Sequence, residues 1–212
     1  MPGLNETPVG SRSPWRRIGL VVALVIGVVA LVFFAGALIE VSGTPTALGA
    51  RERALLPAID AFSAQMAGHT PEQSRGRTSK TVFADGSYDL SFVYTDAGTP
   101  GAPYVEYRVT VEPTVFQAIA TSLMLWYGTA YGLDFASTID FEVRRRDDLF
   151  AWGDASRYGF IEGDGHAVGN LLVARRGRVV VLLLVTGLHY DDPFTFFNVV
   201  APLLEPLEAL SP

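Results

Sequence analysis

The most apolar stretch of the chain lies near its N-terminus. From Ile18 to Ile39, 22 consecutive residues carry no charge and are mostly Val, Leu, Ile, Ala, Phe and Gly. At about 1.5 Å per helical residue, this length matches the hydrocarbon core of a bilayer, which is about 30 Å thick. The pattern predicts a transmembrane anchor helix at 18–39, preceded by an N-terminal segment at 1–17.

Charges around the anchor predict its orientation. Three arginines precede it within segment 1–17, whereas a single glutamate opposes them. Because basic residues stay on the cytoplasmic side of a membrane, this segment is predicted to be cytoplasmic. A linker at 40–50 follows, with glycine and proline residues that interrupt helices. The chain is thus predicted to be a single-pass protein of the cell membrane with an extracytoplasmic domain at 51–212.

A cleaved signal peptide is one alternative to the anchor. Ala35-Gly36-Ala37 resembles an A-x-A cleavage site. The apolar part of a signal peptide, however, runs about 7 to 15 residues. The greater length of 18–39 favours an uncleaved anchor.

A second membrane span is the other alternative. Residues 114–133 also carry no charge, and a span there would return Arg144 to Arg146 to the cytoplasm. This stretch is less apolar than 18–39 because it holds Gln117, Thr121 and Ser122. A buried helix at 114–133 is therefore the preferred interpretation.

Small residues follow one face of the anchor. Gly19, Ala23 and Gly27 are spaced four apart, the pattern that lets two membrane helices approach closely. A homodimer through this face is one hypothesis. The general abundance of glycine and alanine in membrane helices is the simpler explanation.

The pattern after residue 50 predicts one α+β domain. Apolar residues three and four apart predict helices over 51–67, over 114–133 and from Pro193 onward, the last with Phe194, Phe197, Ala201, Leu204 and Leu207 facing inward. Alternating or continuous β-formers predict strands near 81–84, 87–94, 105–111, 139–143, 158–161, 168–174 and 179–185. Because tight turns join most of these strands, the sheet should be largely antiparallel with helices packed on it, an α/β/α sandwich-like arrangement.

The C-terminal part of this pattern resembles a known family. Leu171 to Leu210 reads LLVARRGRVVVLLLVTGLHYDDPFTFFNVVAPLLEPLEAL, which places a strand, a basic turn with glycine, a long apolar strand and a helix in succession. This order is similar to the C-terminal half of the PsbP/Mog1-like α/β/α sandwich family. The resemblance implies an exported, tethered accessory or interaction module, and it transfers no catalytic residue.

Composition and charge narrow the function classes. With 16 basic and 22 acidic residues, the net charge of −6 argues against nucleic-acid binding, which needs a basic surface. The absence of cysteine removes disulfides, thiol catalysis and thiolate metal sites. The sequence contains no GxSxG, HExxH, P-loop or dinucleotide-binding motif. No cofactor is predicted, and a non-enzymatic role is favoured.

Three residues near the end of the last strand form the best catalytic candidate. His189, Asp191 and Asp192 could supply a general base with an orienting carboxylate, or bind a metal. The simpler interpretation is that Asp191 or Asp192 caps the helix that begins at Pro193.

A predicted hairpin turn carries a second group of donors. Glu162, Asp164 and His166 lie within five residues and could form a weak divalent-ion site. A solvated hairpin tip accounts for them equally well.

Aromatic residues concentrate near the end of the predicted middle helix. Trp126, Tyr127 and Tyr131 fit a buried core face, because aromatic residues at helical spacing are usually core. Any of them that are exposed would form a ligand-binding or partner-binding surface.

Together these features predict a membrane-tethered, non-enzymatic binding or accessory module of the cell envelope, which binds a protein partner or a small ligand. One alternative is a membrane-anchored hydrolase or metal-dependent enzyme that uses His189 and Asp192. The other is an integral-membrane subunit with its second span at 114–133.

Overall fold

A computed structural model of the chain describes residues 43–66, 75–95, 102–136 and 141–210. The contacts divide the chain into two units, Met1–Val41 and Ser42–Pro212, and the described residues all belong to the second. The predicted cytoplasmic segment, the anchor at 18–39 and its small residues Gly19, Ala23 and Gly27 lie outside the described ranges. Within those ranges, no helix combines the length and apolar character needed to cross a membrane.

Strands of the second unit form one antiparallel sheet. In the described part of the chain they are β1 (Thr44–Thr46), β2 (Gly76–Val82), β3 (Tyr88–Thr95), β4 (Tyr104–Val111), β5 (Phe141–Arg145), β6 (Ala155–Gly163), β7 (His166–Arg176) and β8 (Val179–Thr186). Their order across the sheet is β1-β2-β3-β4-β8-β7-β6-β5, and every neighbouring pair is antiparallel. This arrangement confirms the predicted α+β class with a largely antiparallel sheet.

Helices pack on both faces of the sheet. They are α1 (Ala50–Arg53), α2 (Val115–Ala136) and α3 (Pro193–Leu204), together with 3-10 helices at Ile59–Gln65, Asp147–Leu149 and Glu205–Leu210. Helix α2 covers one face, whereas α3 and the first 3-10 helix cover the other. Strand β8 is therefore buried on both faces, as its run of seven Val and Leu residues at 179–185 predicts.

The helix predicted over 51–67 is not continuous. Helix α1 ends at Arg53, and a 3-10 helix begins at Ile59. Pro57 accounts for the break, because proline lacks a backbone N–H and disfavours helical geometry in the residue before it. The predicted inward residues Phe62 and Met66 are nevertheless buried.

The inward face predicted for the last helix is wrong at Phe194 and Phe197, which are exposed, whereas the predicted Leu204 and Leu207 are buried. The buried residues of α3 are Phe196, Val200 and Leu204, whereas Phe194 is 70% exposed. Apolar residues occupy almost every position of this helix, so periodicity alone could not select the face. The buried side chain of Phe196 contacts the rings of Phe150, Tyr158 and Tyr190, which sets the rotation of α3.

Two strands extend into segments predicted to be irregular. Thr44–Thr46, within the predicted linker, pairs with Lys80 to Val82 as strand β1. Strand β2 begins at Gly76, within a stretch whose polar sequence predicts a loop. Pairing satisfies backbone groups at the edge of the sheet, and this gain does not depend on apolar side chains.

Helix α2 docks on the sheet through Trp126. The indole is buried against β6, where Gly159 leaves room for it. A Cβ atom at position 159 would lie 3.3 Å from Trp126 Cη2 and 2.9 Å from the carbonyl oxygen of Arg144. Any side chain at this position would thus press on the helix and on strand β5.

We expect Gly159→Ala to destabilise the protein by about 1 to 3 kcal/mol, because the added methyl overpacks this contact. Gly128→Ala is the matched control. Gly128 lies in α2, and nothing lies within 4 Å of a Cβ atom at this position. This substitution should stabilise the protein by up to about 1 kcal/mol through higher helix propensity. Urea unfolding of the full chain in detergent measures both changes, and equal effects would contradict this packing.

Candidate functional site

An open groove lies between the second half of α2 and strand β5. Its volume is about 710 Å³. The helix contributes Trp126, Tyr127, Ala130 and Tyr131, strand β5 contributes Phe141, Glu142, Val143 and Arg145, and the β6–β7 turn contributes Glu162, Asp164 and Gly165. Two separate predictions meet here, because the aromatic candidates and two of the turn candidates line the same groove.

Of the three aromatic candidates on α2, one is buried in the core and two are exposed. Trp126 belongs to the core, as predicted for a helical aromatic residue. Tyr127 and Tyr131 are exposed, the latter to 64%. Their rings stack with centroids 6.3 Å apart and planes inclined by 19°. One wall of the groove is thus a fixed pair of rings with apolar faces and polar hydroxyl groups.

Strand β5 forms the opposite wall and is an edge of the sheet within the described residues. The backbone N–H of Arg146, just after this strand, donates to the carbonyl oxygen of Tyr158 on β6 at 2.7 Å. Because hydrogen-bonding direction alternates along an antiparallel strand, the N–H and C=O groups of Phe141, Val143 and Arg145 point away from β6. The side chains of these same residues line the groove.

Charges lie along β5 and at the turn. Arg145 is held by Asp147, whose Oδ2 accepts from Arg145 Nε at 2.6 Å. This hydrogen bond raises the pKa of Arg145, so the guanidinium stays charged. Arg144 Nη1 lies 3.5 Å from Glu162 Oε1. The charges of Arg145 and Glu162 in the groove are thus each paired with a neighbouring side chain.

The predicted metal candidates do not converge on one point. Glu162 faces Arg144, and Asp164 adopts a positive φ of 52° in the turn. His166 is exposed at the start of β7. Among the described residues, no three His, Asp or Glu side chains form a group that could hold a metal ion. The geometry gives the metal hypothesis no support.

Two of the three predicted catalytic candidates, His189 and Asp191, pair with each other, whereas Asp192 has other partners. His189 Nε2 lies 2.5 Å from Asp191 Oδ1, and Asp191 is almost fully exposed. Asp192 caps α3, accepting from the backbone N–H groups of Phe194 at 3.2 Å and Thr195 at 2.8 Å. Hydrogen bonds from the Thr195 side chain and from these N–H groups lower the pKa of Asp192. The capping interpretation is thus confirmed for Asp192, and these residues do not line the groove.

Sequence reasoning missed Asn170, which is fully buried on β7. Its Nδ2 donates to the Tyr158 hydroxyl at 2.7 Å, and its Oδ1 accepts from the Tyr190 backbone N–H at 2.9 Å. These bonds tie the segment before α3 to the sheet. An amide within the apolar stretch Val168 to Ala174 was the available signal.

Comparison with protein-family models, with curated proteins and with solved structures finds no match. The resemblance of residues 171–210 to the PsbP/Mog1-like family therefore stays a prediction.

We expect Asp192→Ala to lower the thermal unfolding midpoint, whereas Asp192→Asn should retain most of it, because asparagine also caps helices well. Since the pKa of Asp192 is lower in the folded chain, its charge stabilises the fold above the unfolded-state pKa. This contribution is lost as pH falls through the folded-state value. Melting curves between pH 7 and pH 2 test this, and an Asp192→Ala midpoint equal to wild type at pH 7 would refute the cap.

Proposed function

We propose that this protein is a non-enzymatic binding module of the cell envelope, tethered by the segment 18–39, whose groove between α2 and β5 binds an extended segment of a protein partner. The observation that carries the proposal is that a groove with an aromatic wall lies beside the outer edge of β5. The sequence-based support is the uncharged segment 18–39 with arginines before it. The helices on both faces of the sheet and the family resemblance agree with such a role.

The outer edge of β5 supplies backbone recognition. An extended segment laid along Phe141 to Arg145 would pair with the outward N–H and C=O groups of alternate residues, as in strand addition to a sheet. In this mode, backbone bonds supply affinity and pockets for alternate side chains supply specificity. The bound strand would extend the antiparallel sheet by one strand.

The aromatic wall supplies side-chain recognition. Every second residue of the bound strand would project into the groove, toward Tyr127, Tyr131 and Val143. Tyrosine and tryptophan are the residues that most often dominate binding energy at interfaces. Apolar or aromatic side chains at alternate positions are therefore the expected feature of the partner segment.

The alternatives have weaker structural support. A hydrolase built on His189 and Asp192 would need a free carboxylate, but the Asp192 carboxylate accepts hydrogen bonds from Phe194 and Thr195. A second span at 114–133 would need α2 outside the domain, but α2 packs on the sheet through Ala118 and Trp126.

The aromatic wall predicts a position-specific cross-link. A photoreactive phenylalanine analogue at position 131, in the full chain made by its native cells, should capture a discrete protein through an extended segment. The same analogue at the equally exposed Phe194, on α3, is the matched control and should capture none. Adding Tyr127→Ala should reduce capture at 131 about tenfold, a typical loss at a binding hot spot. Identical cross-linked products at 131 and 194, or no effect of Tyr127→Ala, would contradict partner binding in the groove.

The strand edge predicts a difference between two substitutions of one residue. Val143→Ala and Val143→Pro both shorten the side chain in the groove, but only proline also removes the outward backbone N–H. We expect capture at position 131 to fall further in Val143→Pro. Both variants should keep the fold, because proline is accepted on edge strands where its missing N–H faces outward. Equal capture by the two folded variants would rule out backbone pairing along β5.

A further inference from the structure

Apolar side chains protrude from the first turns of α2, at the opposite end of the helix from the groove. Phe116 is 74% exposed, and Val115 and Ile119 beside it are also exposed. Large apolar residues at helical spacing on an outer surface mark a contact with another apolar phase. We call these three residues the α2 tip.

The α2 tip lies close to the point where the chain enters the domain. The described chain starts at Gly43, where a Cβ atom would lie 2.3 Å from Thr81 Cγ2. Strand β1 then pairs Thr44 with Val82. The turn that follows β2 contacts α2, because Gln117 Nε2 donates to Asp85 Oδ2 at 3.2 Å. The start of the domain and the α2 tip thus share one end of the sheet.

An arginine borders the α2 tip. Arg178 Nη1 donates to the carbonyl oxygen of Pro113 at 3.4 Å, and no carboxylate of the described residues forms an ion pair with it. The carboxylates nearby are engaged within the domain. Asp85 accepts from Ser87 at 2.6 Å, and Glu112 accepts from Thr121 at 2.5 Å. Burial raises the pKa of Glu112.

Few residues separate the uncharged segment from Gly43, and this number limits the distance between them. The uncharged segment ends at Ile39, four residues before Gly43. At about 3.5 Å per extended residue, four residues span at most about 14 Å. A domain held by a membrane anchor of this kind therefore has the lipid headgroups within reach of its first strand.

We propose that the α2 tip inserts into the headgroup region of the bilayer, with Phe116 as the inserted residue and Arg178 facing anionic lipid. Apolar residues that enter the headgroup boundary, together with nearby basic residues, are the features of interfacial membrane contacts. The inference rests on the membrane attachment in the proposed function. It would orient the domain with the groove, at the other end of α2, directed away from the membrane.

The absence of cysteine allows a direct test. Phe116→Cys and Phe194→Cys each introduce the only thiol, at two phenylalanines of similar exposure. The full chain is labelled with an environment-sensitive fluorophore and reconstituted into phosphatidylcholine vesicles with one-third phosphatidylglycerol. Lipids carrying a quencher near the headgroup then report contact with the bilayer. We expect at least threefold stronger quenching at position 116 than at 194.

Two controls separate this inference from the membrane attachment. If the labelled chain leaves the vesicles in alkaline carbonate, the anchor is refuted, and the α2 tip contact falls with it. If the chain is retained but positions 116 and 194 are quenched equally, the contact alone is refuted. Adding Arg178→Gln should reduce quenching at 116 in anionic vesicles and change little in pure phosphatidylcholine. Equal loss in both vesicles would refute the lipid role of Arg178.

Discussion

The antiparallel pairing of β4 with β8 joins the two halves of the sheet. Tyr104 pairs with Thr186 and Val111 with Val179, so eight residues of each strand are in register. Strand β8 holds only Val and Leu from 179 to 185, and both of its faces must be covered. The helices on both faces follow from this burial, because an apolar strand at the centre of a sheet is stable only when it is shielded from water on both sides.

The same pairing explains the course of α2. The chain leaves β4 at the centre of the sheet and returns at the outer strand β5, so α2 must cross the face formed by β8, β7 and β6. Its inner side packs on Leu171, Val180 and Leu182. Helices that cover a sheet usually carry charged residues on the outer side, but α2 has none between Pro113 and Leu133. Its outer side is therefore apolar at both ends.

These two ends face different surroundings. At the first turns, Phe116 stands beside the point where the chain enters the domain. Near the last turns, Tyr127 and Tyr131 form one wall of the groove along β5. The long helix separates the two surfaces, and about 1.5 Å of rise per residue puts roughly 22 Å between positions 116 and 131. The proposed binding site and the proposed membrane contact would therefore lie on separate parts of the same helix.

Local chemistry was sufficient to predict β2 to β8, the α2 helix, a cap at Asp191 or Asp192 and the burial of β8, because alternation, turn residues and side-chain type act within a few residues. It also predicted that Tyr127 and Tyr131, if exposed, form a ligand-binding or partner-binding surface. The local sequence could not show that β5 lies opposite these tyrosines. Phe141 and Val143 line the groove because β5 is the outer strand of the sheet, next to β6. The rotation of α3 was likewise decided by contacts of Phe196 with distant rings, where apolar residues on every side left the local pattern without a preferred face. Sequence thus determined most of the helical and extended segments, whereas tertiary packing decided which apolar surfaces were buried and which were left exposed, because exposure depends on which partners remain to cover them.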